Sequence, residues 1–346
     1  MVRFVILKEA VFCEIVSWLL PLQNENASMS AFMFVEVCGY LCAPISILSN
    51  VLLIFVIRNT TSRHLAPHRI SFGLLALSDI LLSVSFLLSQ PCVLLDGDVI
   101  VVVLLGPAVF IHSVFISICF VIFLATLILC LLQVTAPYVF KAISRQNHTL
   151  RWQIVTVIAT LLVTWLLFIV PLISISLTTH GDSIDRLEHF DRFVKDYTKF
   201  TWTSHYVIYR LSTLGKLWLV LVLLVSVTGC VAVAVNSSLS SGMIGCGSWN
   251  GNPTARFSQI ANTARLNASS AFLLIVAPLL LFTIVAVSGR ETFSYSIPLF
   301  LGAAFLPILN AHFVVLNIRT YRRSLSSLFS FRRKFVGPIS HISSDH

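Results

Sequence analysis

The chain has 346 residues, 57% of them hydrophobic and 11% charged, with a mean hydropathy of +0.92. Soluble domains carry about 25% charged residues, so this composition excludes a globular surface covered by polar groups and makes lipid the solvent. The net charge of +9 does not indicate a nucleic-acid partner, because the basic residues fall in short runs between long apolar stretches.

In chain order, residues 1–22 are apolar but interrupted by Lys8, Glu9 and Glu14. That makes a poor signal peptide and a poor span, and an outer amphipathic segment is expected. Asn26-Ala27-Ser28 is a glycosylation sequon. A spanning helix needs roughly 20 apolar residues. Hydropathy predicts spans over 34–57, 70–95, 100–135, 153–178, 211–235, 269–289 and 295–317. The third is overlong, and its ends must tilt or leave the hydrocarbon. The seventh carries Pro298, Pro307, Asn310 and His312 and is the weakest by hydropathy. Loop 179–210 is long and mixed in charge, with Tyr206 and Tyr209 in an aromatic cluster suited to the membrane interface. Loop 236–268 is rich in Ser, Gly and Asn and is expected to be flexible.

Charge sets the orientation. Connections 58–69, 136–152 and 236–268 and the tail from 318 hold arginines and lysines, with Asp345 their only acid. Apart from Asp79, the other acids, from Glu9 to Glu291, lie on the opposite side. The basic side is expected to be cytoplasmic, with the N-terminus outside, and this places Asn26 outside as well. The expected fold is all-α: a seven-transmembrane helix bundle with a short amphipathic C-terminal helix. Its parts are an extracellular segment 1–33, the bundle 34–317, and a cytoplasmic amphipathic helix and basic tail 318–346. In that tail Ile318, Tyr321, Leu325 and Leu328 recur at helical spacing, while Arg319, Arg322 and Arg323 point elsewhere. Such a helix lies on the inner leaflet, so membrane lipid is an expected partner.

Cys38, Cys42, Cys119, Cys130 and Cys230 lie inside apolar segments and read as small packing residues. No CxxC pair or Cys/His spacing indicates zinc, and no metal or cofactor is expected. Cys13 and Cys92 are the pair placed for an outer disulfide. Asp79 is the one acid deep inside a span, and intramembrane carboxylates find partners. Its bland reading is a buried acid satisfied by nearby Ser or Asn. The sharper one is a polar cluster of Asn50, Asp79 and Asn310 in mid-bundle, around water or sodium. His112, Ser113 and Cys119 on the third span are candidate ligand-facing residues, although a lone histidine is more often a packing residue. That span holds no carboxylate, which disfavours a cationic amine ligand.

Several motifs carry a resemblance. Asn50 in LSNVLLIFVIRN, Leu75-Ala76-Leu77-Ser78-Asp79, Trp165 followed by Pro171, Asn310-Ala311-His312-Phe313-Val314 and the run Asn317 to Leu325 stand in the order of the helical motifs of rhodopsin-like (class A) G-protein-coupled receptors. The chain resembles a divergent member of that family from 34 to 330. Taste-type and vomeronasal-type chemoreceptors share such divergence without a close match. The resemblance implies a plasma-membrane receptor that senses an extracellular ligand and meets a heterotrimeric G protein. Departures from the pattern are also clear. Thr135-Ala136-Pro137-Tyr138 stands where the family has its acid–arginine motif, and Ile275-Val276-Ala277-Pro278 keeps the sixth-helix proline without its tryptophan. The seventh-helix motif lacks its proline and tyrosine, and the family's usual disulfide cannot form because the third-helix cysteine near His112 is missing. G-protein signalling by the isolated chain is therefore expected to be weak, atypical or absent.

Two other functions compete. A transporter or channel would ordinarily show repeats, broken helices or several buried charges, and only Asp79 qualifies. An intramembrane enzyme needs paired acid–base or metal groups, and His112 and His312 have no evident catalytic partners, so no enzymatic activity is expected.

Overall fold

A computed structural model describes residues 25–60, 66–96, 99–107, 113–144, 206–210, 213–245, 253–288 and 300–334, together with Val155, Ala159 and Leu162. The segment 1–22, most of the fourth predicted span and most of loop 179–210 lie outside the described residues.

Helix α1 (Glu25–Asn59) ends where Thr60 turns back on Val56. Both the amide and the hydroxyl of Thr60 donate to the Val56 carbonyl, at 3.1 and 2.6 Å. Helix α2 (Ala66–Ser89) stops at Gln90, whose φ of 38° cannot continue a right-handed helix. Pro91 then opens strand β1 (Pro91–Asp96), which pairs antiparallel with β2 (Val99–Leu104). The register sets Asp96 opposite Val99. Strand β3 (Tyr206–Arg210) adds to the far side of β2.

This sheet corrects the third predicted span. Hydropathy merges 100–135 into one stretch, but its first residues are a strand and helix α3 (Ser113–Ser144) starts later and ends beyond it. The run Val99-Ile100-Val101-Val102-Val103 is β-branched and favours a pleated backbone, a difference that hydropathy does not register. Tyr206 and Tyr209, expected in an interfacial loop, belong to β3.

Helix α4 (Thr213–Gly245) supplies the fifth span. The sixth is composite: α5 (Pro253–Ala271), a π-helical turn Phe272–Val276, and α6 (Ala277–Ser288). The Ala277 amide donates to the Phe272 carbonyl, the wide hydrogen bond of a π turn. Pro278 follows directly and has no N–H for the Leu274 carbonyl. Helix α7 (Leu301–Asn317) ends at Ile318, which is extended at φ −88°, ψ 102°, and α8 (Arg319–Lys334) leaves at 93° to it.

Among the described residues, four helical stretches are long and apolar enough to cross a membrane: Phe34–Asn59, His68–Ser89, Thr213–Val235 and Gln259–Ser288. The outward faces carry many large apolar side chains. Leu48 is 71% exposed, and Leu217, Leu224 and Leu281 are similarly open, as lipid-facing side chains are. Inward, α1 packs on α2 and α7, α2 on α3, α3 on α4, and α5 on both α4 and α7. One core cluster, with Phe86, Phe123, Ile275 and Leu306, joins α2, α3, the sixth span and α7. A second, with Val56, Phe72, Val314 and Tyr321, joins α1, α2, α7 and α8. Spacing assigns the apolar face of α8 to the membrane. Instead Ile318 and Tyr321 on that face are buried against the bundle.

Candidate functional site

Helix periodicity turns Asn50, Asp79, Cys130 and Asn310 inward, and all four side chains are fully buried. The carboxylate of Asp79 is the hub. Asn310 Nδ2 donates to Asp79 Oδ1 at 3.1 Å, and the Cys130 thiol donates to the same oxygen at 2.9 Å. Three helices, α2, α3 and α7, thus meet on one carboxylate oxygen. A buried hydrogen bond contributes about 0.5–1.5 kcal/mol net, so the two together hold three helices at one point.

Asn50 reaches the hub only indirectly. Its Nδ2 donates to the Ser46 carbonyl at 3.0 Å and to the Pro307 carbonyl at 3.2 Å, tying α1 to α7. Ser46 and Ser83 share a hydrogen bond of 2.6 Å, and the Ser83 hydroxyl donates to the Asp79 backbone carbonyl at 2.7 Å. The four helices are therefore linked through one chain of polar groups. Asp79 Oδ2, Asn310 Oδ1 and Asn50 Oδ1 are buried without a hydrogen-bond partner. All three are acceptors, so the cluster has unused capacity for a donor or a cation.

Directly along the helices sits an aromatic group. Phe86 lies two turns from Asp79 on α2, and Phe123 two turns from Cys130 on α3. Their ring centroids are 5.9 Å apart, and Phe123 meets Phe300, just ahead of α7, edge-on at 5.1 Å. The Ser85 and Thr126 hydroxyls add a 2.7 Å bridge between α2 and α3.

Other sequence-predicted positions stand apart from this cluster. His112 lies outside the described residues. Ser113 is the first residue of α3, and Asn26 lies in the first turn of α1. Cys119 is half-buried and packs on the main core. Cys92 is a buried free thiol, and Cys13 lies outside the described residues. Cys130, read from sequence as a packing residue, is a hydrogen-bond donor to the hub. Ser46 and Ser83, which the sequence reading did not single out, lie one turn from Asn50 and Asp79. The aromatic group had no sequence signal, since phenylalanine occurs 26 times in the chain.

At the opposite end of α7, the sixth span clasps the corner with α8. Asn262 Nδ2 donates to Asn317 Oδ1 at 3.1 Å, and the Arg319 amide donates to Gln259 Oε1 at 3.2 Å. The glutamine oxygen thereby serves one of the amides at the start of α8 that lacks an intrahelical acceptor.

The family model described as serpentine type 7TM GPCR chemoreceptor Srd matches the chain over residues 35–327. No curated protein matches the chain.

Proposed function

The chain belongs to the serpentine type 7TM GPCR chemoreceptor family Srd, and on that premise we propose that it is a plasma-membrane receptor for an extracellular ligand, with its N-terminus outside and its C-terminus in the cytoplasm. Seven-transmembrane receptors act by shifting a helix-bundle equilibrium, and a ligand shifts it only through differential affinity for the two states. The observation that carries the reading is the junction of α2, α3 and α7 at Asp79, two helical turns from the Phe86–Phe123–Phe300 group. A ligand that displaces these rings moves the helices that hold the carboxylate. Rearrangement of its half-satisfied partners then changes the relation of α7 to the sixth span, whose π turn offers an adjustable point.

Charge segregation supports the orientation. The domain reading follows it: 1–33 extracellular, 34–317 the bundle, 318–346 cytoplasmic. Family membership supports a receptor over an enzyme or transporter, and a heterotrimeric G protein is the proposed cytoplasmic partner. We place ligand contact near the outer end of α3, where His112, Ser113 and Cys119 fall in sequence. Epitope tags at each end, probed in intact cells, test the topology, and a surface-exposed C-terminal tag refutes it. Ligand-dependent recruitment of a G protein at matched surface expression tests the receptor reading.

A further inference from the structure

Arg69, in the first turns of α2, has its Nε and Nη2 nitrogens buried with no hydrogen-bond partner. One turn along, Phe72 meets the ring of Tyr321 edge-on, with centroids 6.3 Å apart. Tyr321 is fully buried on α8, and its hydroxyl also lacks a partner. Burial pushes the Tyr321 phenol up to about 12, while the Arg69 guanidinium pulls it back, as a cation near the hydroxyl does. The phenol is therefore a neutral donor at ordinary pH.

A buried guanidinium edge without an anion is costly, because its desolvation has no compensating partner. Here the cost is raised by position, since a cation near a helix N-terminus also opposes the helix dipole. Nε and Nη2 form the edge of the guanidinium that grips two oxygens of one carboxylate or phosphate side by side. The tyrosine hydroxyl offers a third donor from another helix. We propose that Arg69 and Tyr321 form a socket for an oxyanion, filled in the membrane by the phosphate of an anionic lipid.

The favoured occupant follows from the surroundings. The socket lies at the corner where α8 leaves α7 at 93°, and in the proposed orientation that corner faces the cytoplasmic headgroups. Arg319, Arg322 and Arg323 are exposed on α8 and draw anionic lipid toward it. Asp345 is the only acid in the predicted connections and tail of this face, so the chain supplies few carboxylates of its own. This inference goes beyond the receptor reading and stands whether or not the protein couples to a G protein.

The test is thermal unfolding of the purified full-length chain in a neutral detergent, titrated with dioctanoyl phosphatidic acid, dioctanoyl phosphatidylcholine or inorganic phosphate. Phosphatidic acid is expected to raise the midpoint saturably, and phosphatidylcholine is not. Arg69→Gln should raise the half-saturating lipid concentration about tenfold or more, from the loss of a charge-assisted pair. Tyr321→Phe keeps the ring against Phe72 and should raise it about tenfold or less, from the loss of one hydroxyl donor. Without lipid, Arg69→Gln should unfold no earlier than the unaltered chain, because it removes an unpaired buried cation. An equal, Arg69-dependent response to inorganic phosphate keeps the socket and makes free phosphate its occupant. Identical lipid responses of the unaltered chain and Arg69→Gln would show that the exposed arginines suffice and overturn the socket. Absence of any response in the unaltered chain overturns it as well.

Discussion

Gly302, at the start of α7, lies directly against the Leu274 carbonyl in the π turn of the sixth span, with no room for a side chain between them. Leu274 is four residues ahead of Pro278, so its carbonyl lacks the ordinary helical donor. The glycine lets α7 close over this irregular backbone. Gly302→Ala would drive a Cβ into a backbone oxygen that cannot swing aside. We expect a loss of about 1–3 kcal/mol, the usual cost of overpacking, seen as a lower unfolding midpoint in detergent and reduced surface expression. An unchanged midpoint would show that α7 and the sixth span separate freely here.

Asp79 and Asn310 should be energetically coupled. Asp79→Asn keeps the shape and removes the charge, whereas Asn310→Ala removes the donor. A double-mutant cycle on unfolding stability is expected to give a coupling of about 1–3 kcal/mol, as for contacting members of one buried network. An amide at position 79 still accepts from Asn310, so simple additivity of the two changes would mean that the 3.1 Å contact gains nothing from the carboxylate's charge.

The role of Cys130 separates donor from filler. Cys130→Ser retains a donor toward Asp79 Oδ1, while Cys130→Ala leaves the carboxylate with Asn310 as its one side-chain donor. The alanine variant should be less stable than the serine variant by about 1–3 kcal/mol. Equal stabilities would return Cys130 to the packing role that its apolar setting suggests.

Hydropathy located the membrane stretches of α1 and α4 within two residues, because lipid exposure demands a long apolar run whatever the details of packing, whereas the second predicted span, 70–95, overran the end of α2 at Ser89 into strand β1. The strand Val99–Leu104 was not legible, since a β-branched run and a helical span share the same hydropathy. The π turn was equally hidden. Pro278 signalled an irregularity, but not that it would be taken up by a wide turn just ahead of it. In the polar cluster Asp79 stood out because a carboxylate is costly in lipid. Cys130 did not stand out, because a thiol is as much at home in a core as beside a carboxylate. The arrangement of Tyr321 over Phe72 depended on the 93° turn at Ile318, which spacing alone cannot supply.

The clasp between the sixth span and the α7–α8 corner should restrain opening of that end of the bundle. Asn262→Ala removes the bond to Asn317, and Gln259→Ala the acceptor for the Arg319 amide. Both bonds are exposed to solvent, so their effect on global stability should stay below about 1.5 kcal/mol. Local opening is the more sensitive readout. Hydrogen exchange at the amides of 319–322 is expected to accelerate in the Gln259→Ala variant, and unchanged protection there would refute the restraint.

G-protein activation by the isolated chain is expected to be weak or absent. A receptor couples when its active bundle opens a cytoplasmic cleft and presents matching contacts. Here Ala136-Pro137 falls within α3 where the resembled family places its acid–arginine pair. Loss of the acid alone would release an inactive-state restraint and raise basal activity, because the equilibrium depends on differential contacts. Loss of the arginine also removes a contact made in the active complex. The clasp of Asn262 and Gln259 still ties the α7–α8 corner to the sixth span. The loss of the active-complex contact is expected to outweigh the released restraint. Basal and ligand-stimulated G-protein activation at matched surface expression measures the balance, with the Ala136→Asp, Pro137→Arg double variant as comparison. Strong activation by the unaltered chain, no greater in the double variant, would show that other residues of this face suffice and that the missing pair is not what limits coupling.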